Sequence, residues 1–181
     1  IQAVLDEAVS SGLDGVFLAV DKPTSQTVNY SSGIENRITN QPANVDSLFK
    51  IASISKLFVA VSAVKLVDTG NLNLDDTLAT WLPEIATRID NGNTITIAEM
   101  LRHRSGIPDF DSQVGFSWEN PHSSADATLE FALGLPADFA PDSQYEYSNT
   151  NYLLIGKILD EVLGYDHRIY IEETILTPLG L

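Results

Sequence analysis

Apolar residues at Ile1, Val4, Leu5, Ala8 and Val9 follow the i, i+3, i+4, i+7, i+8 spacing of an amphipathic helix, with Gly12 as its stop. The run Gly15-Val16-Phe17-Leu18-Ala19-Val20 then predicts a buried strand. Asp21-Lys22-Pro23-Thr24 supplies a turn, and Thr27-Val28-Asn29-Tyr30 alternates like a second strand. Residues 33–46 are polar and irregular. Ser53 to Asp68, closed by Gly70, is apolar on nearly every side, which predicts a central, buried helix. Asn71 to Asp76 reads as a loop with apolar anchors, and Thr94-Ile95-Thr96-Ile97 as a short extended piece. Further helices are predicted over Ala98–Arg104, over Ser124–Leu133 with Ser123 or Ser124 as cap, over Asn149–Leu163 before Gly164, and over Asp166–Leu176 before Pro178. The pattern is helical after the opening hairpin, and two strands alone make a marginal sheet.

Composition narrows the function classes. The chain has 181 residues, 44% hydrophobic and 19% charged, an ordinary balance for a globular protein. Ten basic and 25 acidic side chains give a net charge of −15. Nucleic acid and anionic membrane surfaces demand clustered cations, so neither is an expected partner. No apolar run approaches the roughly 20 residues of a membrane span. The absence of cysteine removes disulfides, thiolate metal sites and a cysteine nucleophile.

Three Ser-x-x-Lys pairs are candidates for nucleophile chemistry: Ser47/Lys50, Ser53/Lys56 and Ser62/Lys65. On a helix this spacing puts hydroxyl and amine on one face. A dry lysine beside a serine can serve as its base. Ser47/Lys50 precedes the helix, and mid-helix Ser62 is expected to bond back to the i−4 carbonyl. Ser53/Lys56 lies at the helix start, where free backbone N–H groups and the dipole favour a developing oxyanion. Ser53 as a simple N-cap, with Lys56 solvated, is the competing reading. Tyr147-Ser148-Asn149 places a phenol and an amide just before a helix, able to flank a nucleophile or merely to cap. His103, His122 and His167 are scattered, without metal-ligand spacing, so no metal or cofactor is expected. Asp109 and Asp111 read as solvated turn residues, and His103 as a structural histidine bonding the Ser105-Gly106 turn.

Four segments in order resemble one family. Phe49-Lys50-Ile51-Ala52-Ser53-Ile54-Ser55-Lys56 resembles the active-site helix start of the penicillin-recognising serine hydrolases. Leu101-Arg102-His103-Arg104-Ser105-Gly106 is similar to their Leu-x-His-x-Ser-Gly segment, Tyr147-Ser148-Asn149 to their Tyr-x-Asn motif, and Pro178-Leu179-Gly180 to a Pro-Leu-Gly helix closing. The Tyr-x-Asn form points to the branch of class C β-lactamases, serine D-Ala-D-Ala carboxypeptidases and esterases. The resemblance implies an α/β fold of the β-lactamase/penicillin-binding transpeptidase type, with an antiparallel sheet flanked by helices and a helical subdomain. It implies Ser53 as the acylated nucleophile, Lys56 and Tyr147 as its proton partners, and Asn149 as a substrate-binding amide. The implied substrate is a small molecule or peptide (a β-lactam, a D-Ala-D-Ala peptide or an ester), and the implied location is extracytoplasmic.

The family's third motif, Lys/His-Thr/Ser-Gly, has no counterpart here. Residues 1–181 are therefore expected to be the N-terminal portion of one such domain, incomplete and with little turnover alone. Two alternatives remain open: a non-catalytic module of the same fold that binds peptidoglycan peptides or a partner, and a Ser-His-Asp hydrolase built on His103.

Overall fold

In the computed structural model, residues 1–23, 25–120 and 124–181 are described. Thr24 of the predicted turn, His122 and the predicted cap Ser123 lie outside them. The chain forms two compact units, Ile1–Ile51 and Ala52–Leu181.

The first unit is α1 (Gln2–Ser10), β1 (Gly15–Lys22), β2 (Ser25–Asn36) and β3 (Gln41–Pro42), an antiparallel sheet in the order β1-β2-β3. Two expectations change here. Part of the segment read as irregular continues β2 and adds a short third strand. The continuation of β2 was hidden because its pairing with β1 depends on glycine rather than on alternation, and β3 because two residues show no period. Gly15 faces Gly33 across the sheet, Gly33 has φ +87°, and a Cβ on it would lie 2.1 Å from the Asp14 carbonyl oxygen. Nor is β1 buried. Leu5 is the buried apolar side chain of this unit among the described residues, and Leu18 on β1 and Val28 on β2 are exposed. One nine-residue helix is too small a second layer to cover the sheet.

The second unit packs α2 (Ser55–Asp68), α3 (Leu78–Trp81), α4 (Pro83–Ala86), α5 (Ile97–Leu101), α6 (Ala125–Leu129), α7 (Asn149–Leu163), α8 (His167–Ile171) and α9 (Thr177–Leu179). Its core joins Ala63 and Leu66 of α2, Leu78, Ile97 and Met100, and Leu154, Ile155, Ile158 and Leu159 of α7. The range of α7 matches the sequence reading, and Gly164 caps it in the left-handed conformation. Ser124 caps α6, accepting the Ala127 N–H, but that helix ends at Leu129.

Other boundaries shift. The piece at residues 94–97 pairs only through a Thr77–Thr96 bridge, because Thr96 is spent capping α5 in a reciprocal pair with Glu99. Helix α5 ends at Leu101, two residues before His103 at φ +55°. The last helical run passes through a π-helical turn, Glu172–Leu176, into α9, so Pro178 lies in a first helical turn rather than beyond a helix. Helices α3 and α4, one turn each, were too short for periodicity to show.

The predicted all-round burial of α2 does not hold. Ser62, Ala63 and Leu66 are buried, whereas Leu57, Val61 and Val64 are 61%, 38% and 55% exposed. The apolar pattern is real, but one side of it faces solvent.

Candidate active site

Ala52 adopts φ +46°, in the left-handed region that disfavours a Cβ. A 3-10 turn, Ala52–Ile54, follows and delivers Ser53 ahead of α2. The Ser53 hydroxyl does not cap the helix. Its Oγ accepts hydrogen bonds from Tyr147 OH at 2.9 Å and from Lys56 Nζ at 3.2 Å. Lys56 Nζ also donates to Asn149 Oδ1 at 2.7 Å, and Tyr147 OH lies 3.3 Å from the same oxygen. Ser53 and Lys56 thus form one connected network with Tyr147 and Asn149, which lie more than 90 residues further along the chain. The Lys56 ammonium lies over the Tyr147 ring, 4.9 Å from its centroid.

The other Ser-x-x-Lys pairs are not part of this network. Ser62 Oγ donates to the Phe58 carbonyl at 2.9 Å, the expected back-bond. Ser47 is hydrogen-bonded to Glu35 and to the Asn44 N–H.

The start of α7 places the Tyr-x-Asn side of the site by gripping the segment of residues 103–111. The Ser148 N–H donates to His103 Nδ1 at 3.2 Å. Buried Thr150 Oγ1 donates to the Pro108 carbonyl at 2.7 Å and accepts the Phe110 N–H at 3.0 Å. Buried Asn151 Oδ1 accepts the Ser105 hydroxyl at 2.6 Å. His103 therefore bonds the Ser148 amide instead of the Ser105-Gly106 turn, because the left-handed turn at His103 swings its ring towards Tyr147. Burial, then the Lys56 charge, hold the His103 imidazole below its ordinary pKa. Since the Ser53 hydroxyl is bonded by Tyr147 and Lys56, a Ser-His-Asp triad on His103 has no support.

Sequence reasoning missed Asp109 and Asp111. Asn149 Nδ2 donates to a carboxylate oxygen of each, at 3.0 Å in both cases. Burial pushes the Asp109 carboxyl above the usual carboxylate range, and the adjacent Asp111 charge acts in the same direction. The only available signal was the Asp-x-Asp spacing just after the His-x-Ser-Gly segment. Ser53, Lys56, Asp111, Trp118, Tyr147 and Asn149 line a cleft of about 570 Å³.

His167 does have carboxylate neighbours that spacing had hidden. Its N–H and Nδ1 bond Asp160 Oδ1 at 2.6 and 2.8 Å, and Asp166 lies beside them. Asp166 is paired with Arg168, whose contacts hold its carboxyl well below the usual range. These bonds serve the start of α8.

A family model described as beta-lactamase matches residues 1–181. Penicillin-binding protein 4 from Amycolatopsis lactamdurans is 31% identical over 153 residues, which cover 83% of this chain and 39% of that protein. A putative D-alanyl-D-alanine carboxypeptidase from Escherichia coli (strain K12) is 32% identical over 146 residues, 77% of this chain and 34% of that one. The crystal structure of D-amino acid amidase from Ochrobactrum anthropi SV3 complexed with L-phenylalanine amide superposes with a TM-score of 0.87 at 32% identity, covering 99% of this chain and 49% of that chain. The chain thus spans about a third of the length of these curated relatives and about half of that solved structure.

Proposed function

The chain belongs to the beta-lactamase family, and on that premise we propose that it carries the acylation centre of a serine hydrolase, with Ser53 as the nucleophile. The supporting observation is the pair of hydrogen bonds at the Ser53 hydroxyl, 2.9 Å from Tyr147 and 3.2 Å from Lys56, in place of a helix cap. Nucleophile and bases lie within hydrogen-bond reach without rearrangement.

In the proposed reaction, Ser53 Oγ bonds to the carbonyl carbon of an amide or ester. Its proton passes to whichever of Tyr147 and Lys56 is unprotonated when the substrate is bound, since a protonated group can only donate to Ser53 Oγ. The Ser53 N–H faces the developing oxyanion at the positive end of α2. Collapse breaks the bond to the leaving nitrogen or oxygen, which takes the proton back by way of Tyr147. Water then attacks the ester on Ser53, and the acid is released. Asn149 orients the acyl group and holds Lys56 in place.

Carboxypeptidase-like or esterase-like hydrolysis fits this centre. The family kinship and the names of the relatives, which include a D-alanyl-D-alanine carboxypeptidase and a D-amino acid amidase, support acyl donors of that class. For cell-wall peptides the reading carries an extracytoplasmic location with it.

The test is acylation of the full-length gene product by a reporter β-lactam, read by intact mass. We expect a single adduct on Ser53 that is lost in Ser53→Ala. An adduct that survives that substitution overturns the assignment.

A further inference from the structure

A buried imidazole that takes no part in the acylation steps sits directly against the phenol that does. The His103 ring stacks on the Tyr147 ring, with centroids 4.4 Å apart and planes 30° apart. Its Nδ1 accepts the Ser148 N–H at 3.2 Å, and its backbone carbonyl accepts the Glu146 N–H at 3.0 Å. Three contacts from one residue therefore fall on three consecutive residues, with Tyr147 in the middle. The left-handed backbone at His103, φ +55°, turns the side chain into this position and is held there against its conformational cost.

We infer that His103 is a positioning residue for Tyr147, a clamp that holds in the neutral state and is released by protonation. The inference rests on the proposed role of Tyr147. An Nδ1 that accepts an amide N–H carries no proton, so the proton of the neutral ring sits on Nε2. Protonating Nδ1 turns the acceptor into a donor aimed at another donor, and the Ser148 bond is lost. It also adds a second cation beside Lys56, which stands on α2. The other titratable groups facing the ring are Tyr145 and Tyr147 from the segment before α7 and Tyr152 from α7 itself. Among the described residues no carboxylate is hydrogen-bonded to the ring, and the Ser148 backbone is the one group that favours the added charge. Burial and the Lys56 charge already disfavour the imidazolium.

The acylation rate of Ser53 should consequently fall on the acid side of neutrality in step with His103 protonation. Two substitutions separate the parts of the clamp. His103→Asn keeps an acceptor near the Nδ1 position and tolerates a left-handed backbone, but does not titrate. His103→Phe keeps the stacked ring but offers no acceptor.

The test measures β-lactam acylation against pH in the full-length gene product. We expect that acid limb to vanish in His103→Asn, with the plateau lowered by loss of the stacked ring. In His103→Phe acylation should also lose the acid limb and stay flat at about a tenth of the wild-type plateau, the scale of one lost hydrogen bond, with apparent β-lactam affinity unchanged. An acid limb that persists unaltered in both variants overturns the inference while leaving Ser53 as nucleophile. Loss of Ser53 dependence would instead overturn the underlying reading. Should the variants not fold, imidazole 15N NMR of the unaltered protein decides. A protonated Nδ1 at pH 7, or a His103 titration that does not track the acylation limb, refutes the clamp.

Discussion

Thr150→Val tests whether the first turn of α7 builds the site. Valine has nearly the shape of threonine, so the change removes a hydroxyl and little else. That hydroxyl is fully buried, gives its proton to the Pro108 carbonyl at 2.7 Å, and accepts the Phe110 N–H at 3.0 Å. Its loss strands one buried acceptor and one buried donor. Each orphaned group costs about 1–3 kcal/mol, and the carbonyl, with two lone pairs, falls at the low end, so roughly 2–4 kcal/mol is expected. For a chain of this size that lowers Tm by about 4–16 °C. Thr150→Ser is the control: it keeps the hydroxyl and gives up one methyl group, worth ~0.8 kcal/mol. Urea unfolding followed by far-UV circular dichroism at 25 °C measures both. Asp109 lies between Pro108 and Phe110, so acylation of Ser53 should also slow in the valine variant and persist in the serine variant. If valine costs no more than serine, or less than about 1 kcal/mol, the hydroxyl is not bridging these two groups and the reasoning fails.

Two further outcomes follow from strain and burial near the nucleophile. Ala52→Gly relieves a left-handed alanine, worth about 1–2 kcal/mol, against about 0.5–1 kcal/mol of added chain entropy when unfolded. Tm should rise by about 2 °C while acylation slows, because Ser53 is held less firmly; a fall in Tm contradicts the strain at Ala52. Asp109→Asn removes a carboxyl whose pKa is raised by burial. A raised carboxyl binds more protons folded than unfolded, so the wild-type protein loses stability as pH climbs from the ordinary value of 3.8 through the folded one. The variant should therefore be more stable at pH 7 and no more stable below that window, a difference that thermal melts across pH 3–8 detect. Equal melting curves at pH 7 contradict the burial cost.

The parts of the fold legible in the sequence were those set by local rules. Helix α7 was readable from its apolar period and from Gly164, because period and cap both lie within the helix. Ser53 and Lys56 were readable because three residues of helix decide whether they meet. Tyr147 and Asn149 were legible as candidates from their place before a helix, but the choice between flanking a nucleophile and capping stayed open without the family resemblance, since their meeting with Ser53 depends on how α7 packs against α2. Asp109 and His103 went astray for the same reason. An Asp in a Pro-containing turn is normally solvated, and the Asn149 amide 40 residues away bonds this one. His103 was matched to its sequence neighbours, while its actual partner lies 45 residues away. Burial of α2 was over-read because an apolar pattern states what a helix can cover, not whether a neighbour is there. The third strand escaped because its two residues, Gln41 and Pro42, are too few to show alternation.

Residues 148–151 each engage a different group: the His103 ring, the Lys56 ammonium with the two aspartates, the loop at residues 108–110, and the Ser105 hydroxyl. From Asn149 onward these positions are successive steps of a helix, about 100° and 1.5 Å apart. The site therefore has a reading frame as well as a composition. A substitution there removes one partner and leaves the others aligned. Inserting or deleting a single residue at the start of α7 would turn Asn149, Thr150 and Asn151 away from their partners together. Sequence drift at this point can proceed by replacement, one contact at a time, but not by a change of length.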